Sequence, residues 1–191
     1  MKIKTNYKWL VKVVLVSVAA SMAFTLATTE ILGRAGYMLA SAVLAVFIII
    51  GIAFDMIGVA VTAAPEAPFH SMAVHREKGA VEALRLIKNA DKVASICNDV
   101  VGDVSGVVSG STAALIAAGA MEKLGAESML FPLLISGAVT GMMIGGKAAG
   151  KALALNNSIV IVLKVGKMIG ITQGVLRINS RRARNENSRT R

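Results

Sequence analysis

Four apolar stretches, each long enough to cross a lipid bilayer as a helix, constrain this chain more than any other feature. A helix needs about 20 apolar residues to span the hydrocarbon layer, and backbone groups in lipid must bond within their own segment. The sequence therefore predicts an all-α, polytopic membrane helix bundle with four transmembrane helices. The stretches run approximately from Trp9 to Thr28, Tyr37 to Ala64, Val93 to Ala120 and Met129 to Gly146.

The composition agrees with a lipid environment. Hydrophobic residues make up 55% of the 191 residues, above the roughly 45–50% typical of soluble domains. Aromatics are only 4% and glycines number 18, a balance that suits helices packed closely through small residues. The length indicates one domain, and a single cysteine, Cys97, excludes an intramolecular disulfide.

The basic residues alternate along the chain as four membrane crossings require. Four lie at the start, five lie between the second and third stretches, and ten lie from Lys147 to Arg191. The two other connections carry one each, Arg34 and Lys123. The positive-inside rule then predicts a cell (plasma) membrane protein with both termini cytoplasmic.

A different interpretation of the first stretch stays open. A basic start, an apolar run and the letters "AASMA" also fit a cleaved signal peptide. Removing this stretch would break the charge alternation, because the three remaining spans would begin outside. Residues 1–36 are therefore interpreted as a cytoplasmic N-terminus followed by a retained first transmembrane helix.

Three further segments flank the spans on the predicted cytoplasmic side. Residues 65–92 alternate apolar and charged positions, which predicts one or two amphipathic helices at the membrane surface. Residues 158–176 are too short for a comfortable span and are predicted to form an interfacial helix. Residues 177–191 form a polar, basic and disordered tail beside anionic lipid headgroups. For this tail, lipid is favoured over nucleic acid as the partner.

Three acidic residues fall inside apolar stretches, and a charge there is costly enough to indicate function. Asp99 and Asp103 are four residues apart and share a helix face, while Asp55 lies in the second stretch. Either the three carboxylates supply oxygen ligands to a divalent cation, or they pair with Lys147 and are structural. Asp99 also lies near the expected headgroup level, where its charge costs less.

Small and polar residues accompany these acids. Thr62, Asn98 and Ser105 are candidate polar members of the same pocket. Glycines recur at four-residue spacing, which permits close helix approach and a homodimer. The predicted packing glycines are Gly102, Gly106, Gly110, Gly137, Gly141 and Gly145.

Enzymatic motifs are missing from the sequence. The histidines lack metal-ligand spacing, no serine lies in a nucleophile motif, and "GGKAAGK" has neither the spacing nor the strand of a phosphate loop. We therefore expect a protein that is not an enzyme and has no cofactor, other than Mg²⁺ or Co²⁺ as a transported ion.

The order of features resembles the transmembrane domain of the cyclin-M/CorC/CorB family of magnesium and cobalt transport proteins. The resemblance is carried by "FDMIGVAVTAA" in the second stretch, the basic link, "CNDVVGDVSG" in the third stretch and "GKAAGKALALNN" at the end of the fourth. Residues 37–157 would form the three-helix transmembrane unit, and the first helix would be an addition. The resemblance implies divalent-cation transport or efflux by a dimer.

The family pattern is altered at its site residues. Asp55 falls at the family's serine, Asp99 and Asp103 have the spacing of its two asparagines, and Lys147 falls at its glutamate. The nucleotide-sensing and C-terminal domains of the full-length family do not follow. The sequence therefore favours a divalent-cation transporter of this type, and the alternative is a non-transporting scaffold or partner subunit whose pocket Lys147 closes.

Overall fold

The computed structural model describes residues 7–124 and 130–172, and these residues form helices joined by short connections, with no strand among them. The predicted all-α class is confirmed. The basic tail 177–191 and the last residues of the predicted interfacial helix lie outside the described residues. The helices are α1 (Tyr7–Ala63), α2 (Glu66–Val74), α3 (Ala80–Lys88), α4 (Ala90–Ser95), a π-helical segment (Ile96–Gly102), α5 (Asp103–Leu124), α6 (Leu130–Asn156) and α7 (158–172).

Helix α1 contains the first two predicted spans. The sequence places the connection between these spans near Arg34, and helical backbone continues through it from Tyr7 to Ala63. The rings of Phe24 and Phe47 nevertheless lie 5.4 Å apart, whereas 23 residues of straight helix would separate them by about 35 Å. The chain must therefore reverse between them, and α1 is a tight hairpin of two antiparallel halves.

The position of the reversal follows from the same contact. Residues 35 and 36 lie midway between Phe24 and Phe47 in the sequence. On either side of this midpoint, Thr28 is 4% exposed and Ala40 is 1% exposed, so both halves of α1 are covered near the reversal.

Among the described residues, four helical segments are long and apolar enough to cross a membrane. Only a small share of each is buried inside the chain, from 6% of the first to 39% of the third. Their exposed apolar side chains suit a lipid surrounding, since lipid and not a protein core then solvates them. The spans are Val11–Glu30, Met38–Ala63, Ala90–Met121 and Pro132–Asn156.

The third span is irregular at its start. Helix α4 leads into the π-helical segment Ile96–Gly102, which continues as α5. A π-helical segment has more residues per turn than an α-helix. The side chains that follow it therefore point in different directions from those they would have in a regular helix. Such segments often occur at functional sites. The segment packs mainly against α1, where Asn98 lies against Gly58, whereas Ile96 and Asp99 are exposed.

A compact apolar cluster closes the end of the bundle at which α1 finishes. Phe69 of α2, Ala83 of α3 and Val162 of α7 are fully buried there against Ala60 and Val61 of α1. The predicted amphipathic link thus forms two helices, α2 and α3, and α7 packs against them.

A close glycine contact fixes the junction of α3 and α7. Gly79, which has φ 84°, immediately precedes α3. A Cβ on Gly166 of α7 would collide with the carbonyl oxygen of Gly79. Neither position has room for a side chain. The two helices can therefore approach at backbone distance, which explains how a short α7 is held against the link.

The predicted packing glycines divide into two groups. A Cβ on Gly102 would lie 3.5 Å from Lys147 Nζ, and a Cβ on Gly106 would lie 3.6 Å from Met143 Cε, so both glycines pack against α6. A Cβ on any of the remaining four would meet no heavy atom of the described chain within 4 Å. These four face outward and do not pack helices within the chain: Gly110, Gly137, Gly141 and Gly145.

Other glycines provide the close contacts within the bundle. Gly58 accommodates Asn98 of the π-helical segment, and Gly146 accommodates Ile52 of α1. A Cβ on Gly150 would lie 2.7 Å from Met56 Cγ. The second, third and fourth spans therefore form the tightly packed part of the bundle.

Candidate functional site

Two lysines, Lys147 and Lys151, stand one turn apart on α6 and face the neighbouring spans. Residues four apart on a helix lie on one face, so both ammonium groups approach the packed part of the bundle. Each lysine lies near a different aspartate. Lys147 contacts Asp103 of α5, and Lys151 lies near Asp55 of α1.

Lys147 joins α6 to the end of the π-helical segment. Its Nζ donates a hydrogen bond to the carbonyl oxygen of Gly102 at 3.2 Å and lies 3.6 Å from Asp103 Oδ1. The lysine side chain is 20% exposed and the aspartate side chain is 73% exposed. The ammonium is thus largely enclosed, while the carboxylate faces out of the bundle.

Asp55 is the buried acid of the chain's second span. Its side chain is 6% exposed, and its Oδ2 lies 3.8 Å from Lys151 Nζ. Oδ2 is buried and has no hydrogen-bond partner among the described residues. At 3.8 Å the lysine, which is 53% exposed, supplies charge to Asp55 but not a hydrogen bond.

Asn98 lies against the same face of α1, one turn further along. A Cβ on Gly58 would collide with its Oδ1, and Gly58 follows Asp55 by three residues. Asn98 Oδ1 is also buried without a hydrogen-bond partner in the described part of the chain. Two acceptor oxygens of this region therefore lack donors within residues 7–124 and 130–172.

The other predicted members of the pocket lie elsewhere. Asp99 is exposed and accepts a hydrogen bond from Ser95 Oγ. Thr62 is exposed and donates to the carbonyl oxygen of Val59, in its own helix, at 2.9 Å. Ser105 is 3% exposed and packs on the α1 surface, where its Cβ would lie 3.1 Å from a Cβ on Gly51.

The three acids do not converge on one point. Asp55 pairs with Lys151, Asp103 with Lys147, and Asp99 with Ser95. Among residues 7–124 and 130–172, no group of three or more His, Cys, Asp or Glu side chains is placed to hold a metal ion. The arrangement can neutralise charge internally and hold the third and fourth spans together.

An open groove between α5 and α6 continues away from the lysine. It has a volume of about 210 Å³ and is lined by Gly106, Gly110, Met143, Lys147 and Ser109, among others. Ser109 is 1% exposed, and its Oγ has no hydrogen-bond partner in the described chain. A polar atom thus lies in an otherwise largely apolar groove.

Two features were missed by the sequence interpretation. The Lys151–Asp55 pair could have been found from spacing, because Lys151 is one turn from Lys147 and shares its face. The π-helical segment leaves no comparable signal, since "ICNDVVG" differs little from an ordinary helix of small and apolar residues.

Comparison with known proteins identified no relative. No family model matches the chain, and neither a curated protein nor a solved structure matches it.

Proposed function

We propose that this chain is a non-transporting membrane subunit, a scaffold or partner, in which two of the three intramembrane acids, Asp55 and Asp103, are neutralised by the chain's own lysines. The observation that carries the proposal is the position of Lys147 Nζ, 3.2 Å from Gly102 O and 3.6 Å from Asp103 Oδ1. The ammonium group there lies beside Asp103 and supplies the positive charge that a bound cation would otherwise provide.

The second lysine supports the same conclusion. An isolated buried carboxylate is costly in lipid, and Lys151 lies 3.8 Å from the buried oxygen of Asp55. Because each lysine serves a different acid, the charges cancel in pairs along α6. A divalent cation would have to displace one ammonium group to enter, which works against a transport cycle.

The membrane setting rests on the four candidate spans. The basic residues further support a plasma membrane location with both termini cytoplasmic, since they alternate along the chain. In this orientation, the cluster of α2, α3 and α7 would lie at the cytoplasmic surface, where a partner protein or anionic lipid could meet it.

Ion flux into proteoliposomes tests the proposal. We expect wild-type protein to admit no more Mg²⁺ or Co²⁺ than empty vesicles, and Lys147→Ala to leave flux at that level. Lys164→Ala, which removes an exposed lysine of α7, is the matched control. Wild-type uptake that Asp55→Asn abolishes would overturn the proposal.

Divalent-cation transport of the CorC/CorB type is the second candidate function. It is favoured by one observation, the two buried acceptor oxygens Asp55 Oδ2 and Asn98 Oδ1, which have no donor among the described residues. A cation satisfies such oxygens. Lys147→Glu restores the acid that the family resemblance implies, and a gain of cation binding in this variant would favour a degenerate transporter over an unrelated scaffold.

A further inference from the structure

We infer that two copies of this chain associate in the membrane through the first span of one copy and the third span of the other, with Lys12 facing Asp99. The inference rests on the four helices lying in a bilayer. It does not depend on whether the protein transports ions, so each idea can fail without the other.

Unmatched charges on two exposed helix faces provide the first argument. Lys12 lies within the first span, is exposed, and forms no ion pair with a residue that the structure describes. Asp99 is exposed on the third span, with Ser95 as its hydrogen-bond partner. Charged side chains in membrane-spanning segments are stabilised when they form ion pairs with groups of opposite charge.

The two charges lie at the same depth. Phe24 is level with Phe47 across the α1 hairpin, which places Lys12 level with Val59. Gly58 is in turn level with Asn98. Lys12 and Asp99 therefore differ in depth by about 3 Å, two residues of helix rise, which a lysine side chain easily covers.

The helix faces that carry these charges are also complementary in shape. Ala19, Ala23 and Ala27 repeat at four-residue spacing on the Lys12 face, and all three are exposed. On α5, Gly106 and Gly110 line the open groove. Parallel helices with small residues on both faces approach closely and gain packing energy in lipid.

A second copy is the occupant that matches these features together. Both faces belong to the same chain, point in the same direction through the membrane and are level with each other. In a twofold dimer each copy contributes one face of each kind, so two reciprocal Lys12–Asp99 contacts form. The first span, of which only 6% is buried within the chain, thereby gains a packing partner.

Disulfide crosslinking between copies tests the inference. Two full-length variants in a Cys97→Ser background, Ala23→Cys with one tag and Gly110→Cys with a second tag, are mixed in liposomes and oxidised mildly. We expect a disulfide-linked dimer carrying both tags, since close helices bring Cβ atoms within the roughly 3.5–4.5 Å that a disulfide requires.

A matched control and a charge exchange make the test specific. Met22→Cys is exposed at nearly the same depth as Ala23 but lies about 100° further around the helix, and with Gly110→Cys it should give no dimer. Asp99→Lys should abolish the Ala23–Gly110 crosslink, and adding Lys12→Asp should restore it. No mixed dimer above the Met22 control, or a loss that the exchange does not reverse, would overturn the inference. Thermal unfolding of each variant verifies that it is folded.

Discussion

The Nζ atom of Lys147 lies 3.6 Å from Asp103 Oδ1 and 3.2 Å from the carbonyl oxygen of Gly102. One lysine of α6 therefore contacts both the last residue of the π-helical segment and the first residue of α5. The contact links the fourth span to the irregular start of the third, and it places positive charge beside an intramembrane acid.

Replacing Lys147 by alanine should destabilise the protein. The substitution removes a charged hydrogen bond to Gly102 O, which contributes about 1.5–3 kcal/mol, and leaves Asp103 without its ion pair. Thermal unfolding in detergent should show a lower melting temperature for Lys147→Ala. Lys164→Ala, at an exposed position, should melt as wild type does. Equal melting of all three proteins would contradict a structural role.

Lys151 and Asp55 should be coupled energetically. Removing only the lysine leaves a carboxylate that is 6% exposed without a compensating charge, which costs up to about 3–5 kcal/mol for a fully buried pair. The half-exposed lysine lowers that figure here. Replacing Asp55 by asparagine as well should recover part of the stability that is lost when Lys151 is removed.

A double-mutant cycle of Lys151→Ala and Asp55→Asn measures this coupling. We expect the double variant to be more stable than the sum of the single losses predicts. Additive losses of stability would mean that Lys151 and Asp55 do not interact. The Asp103→Asn variant is the control, because Asp103 is an exposed acid.

Gly58 should tolerate no side chain. A Cβ there would overlap Asn98 Oδ1, so Gly58→Ala must push apart the second and third spans at a cost of about 1–3 kcal/mol. Gly110→Ala, at a position with no heavy atom within 4 Å, is the matched control and should leave the monomer's unfolding temperature unchanged or slightly raised, because alanine without a clash favours the helix over glycine. A neutral Gly58→Ala would show that the two spans are not packed as described.

Gly166 tests whether α7 packs against the link. A Cβ at this position would collide with the carbonyl oxygen of Gly79, so Gly166→Ala should loosen α7 and expose it to limited proteolysis. Gly170→Ala meets Glu82 Cδ at an ordinary 3.6 Å and should resist proteolysis as wild type does. Identical cleavage of both variants would favour a separate interfacial helix.

The sequence was sufficient to predict the spans because hydrophobic length is a local property. The second span was expected from Tyr37 to Ala64, and the structure gives Met38–Ala63 as a candidate span. The connection near Arg34 was also expected between the first two spans, and the contact of Phe24 with Phe47 agrees with a reversal there. The sequence did not show that helical residues continue through this connection.

The site was harder to predict than the spans because it depends on which helix faces meet. Spacing placed Asp99 and Asp103 on one face, but it could not show that this face points outward while Asp55 points inward. The π-helical segment also changes the side-chain register between Asn98 and Ser105. Outward-facing glycines such as Gly137 look the same in sequence as inward-facing ones such as Gly146.

The most direct test of the account is to measure cation binding by thermal unfolding. It shows whether Asp55 and Asp103 are neutralised by lysines or by a bound cation. A ligand that binds the folded protein raises the melting temperature of the protein once the ligand concentration exceeds the dissociation constant. We predict that millimolar Mg²⁺ or Co²⁺ leaves the melting temperature of the wild-type protein unchanged relative to a matched ionic strength of Na⁺. A rise that depends on cation concentration and disappears in Asp55→Asn would contradict the account.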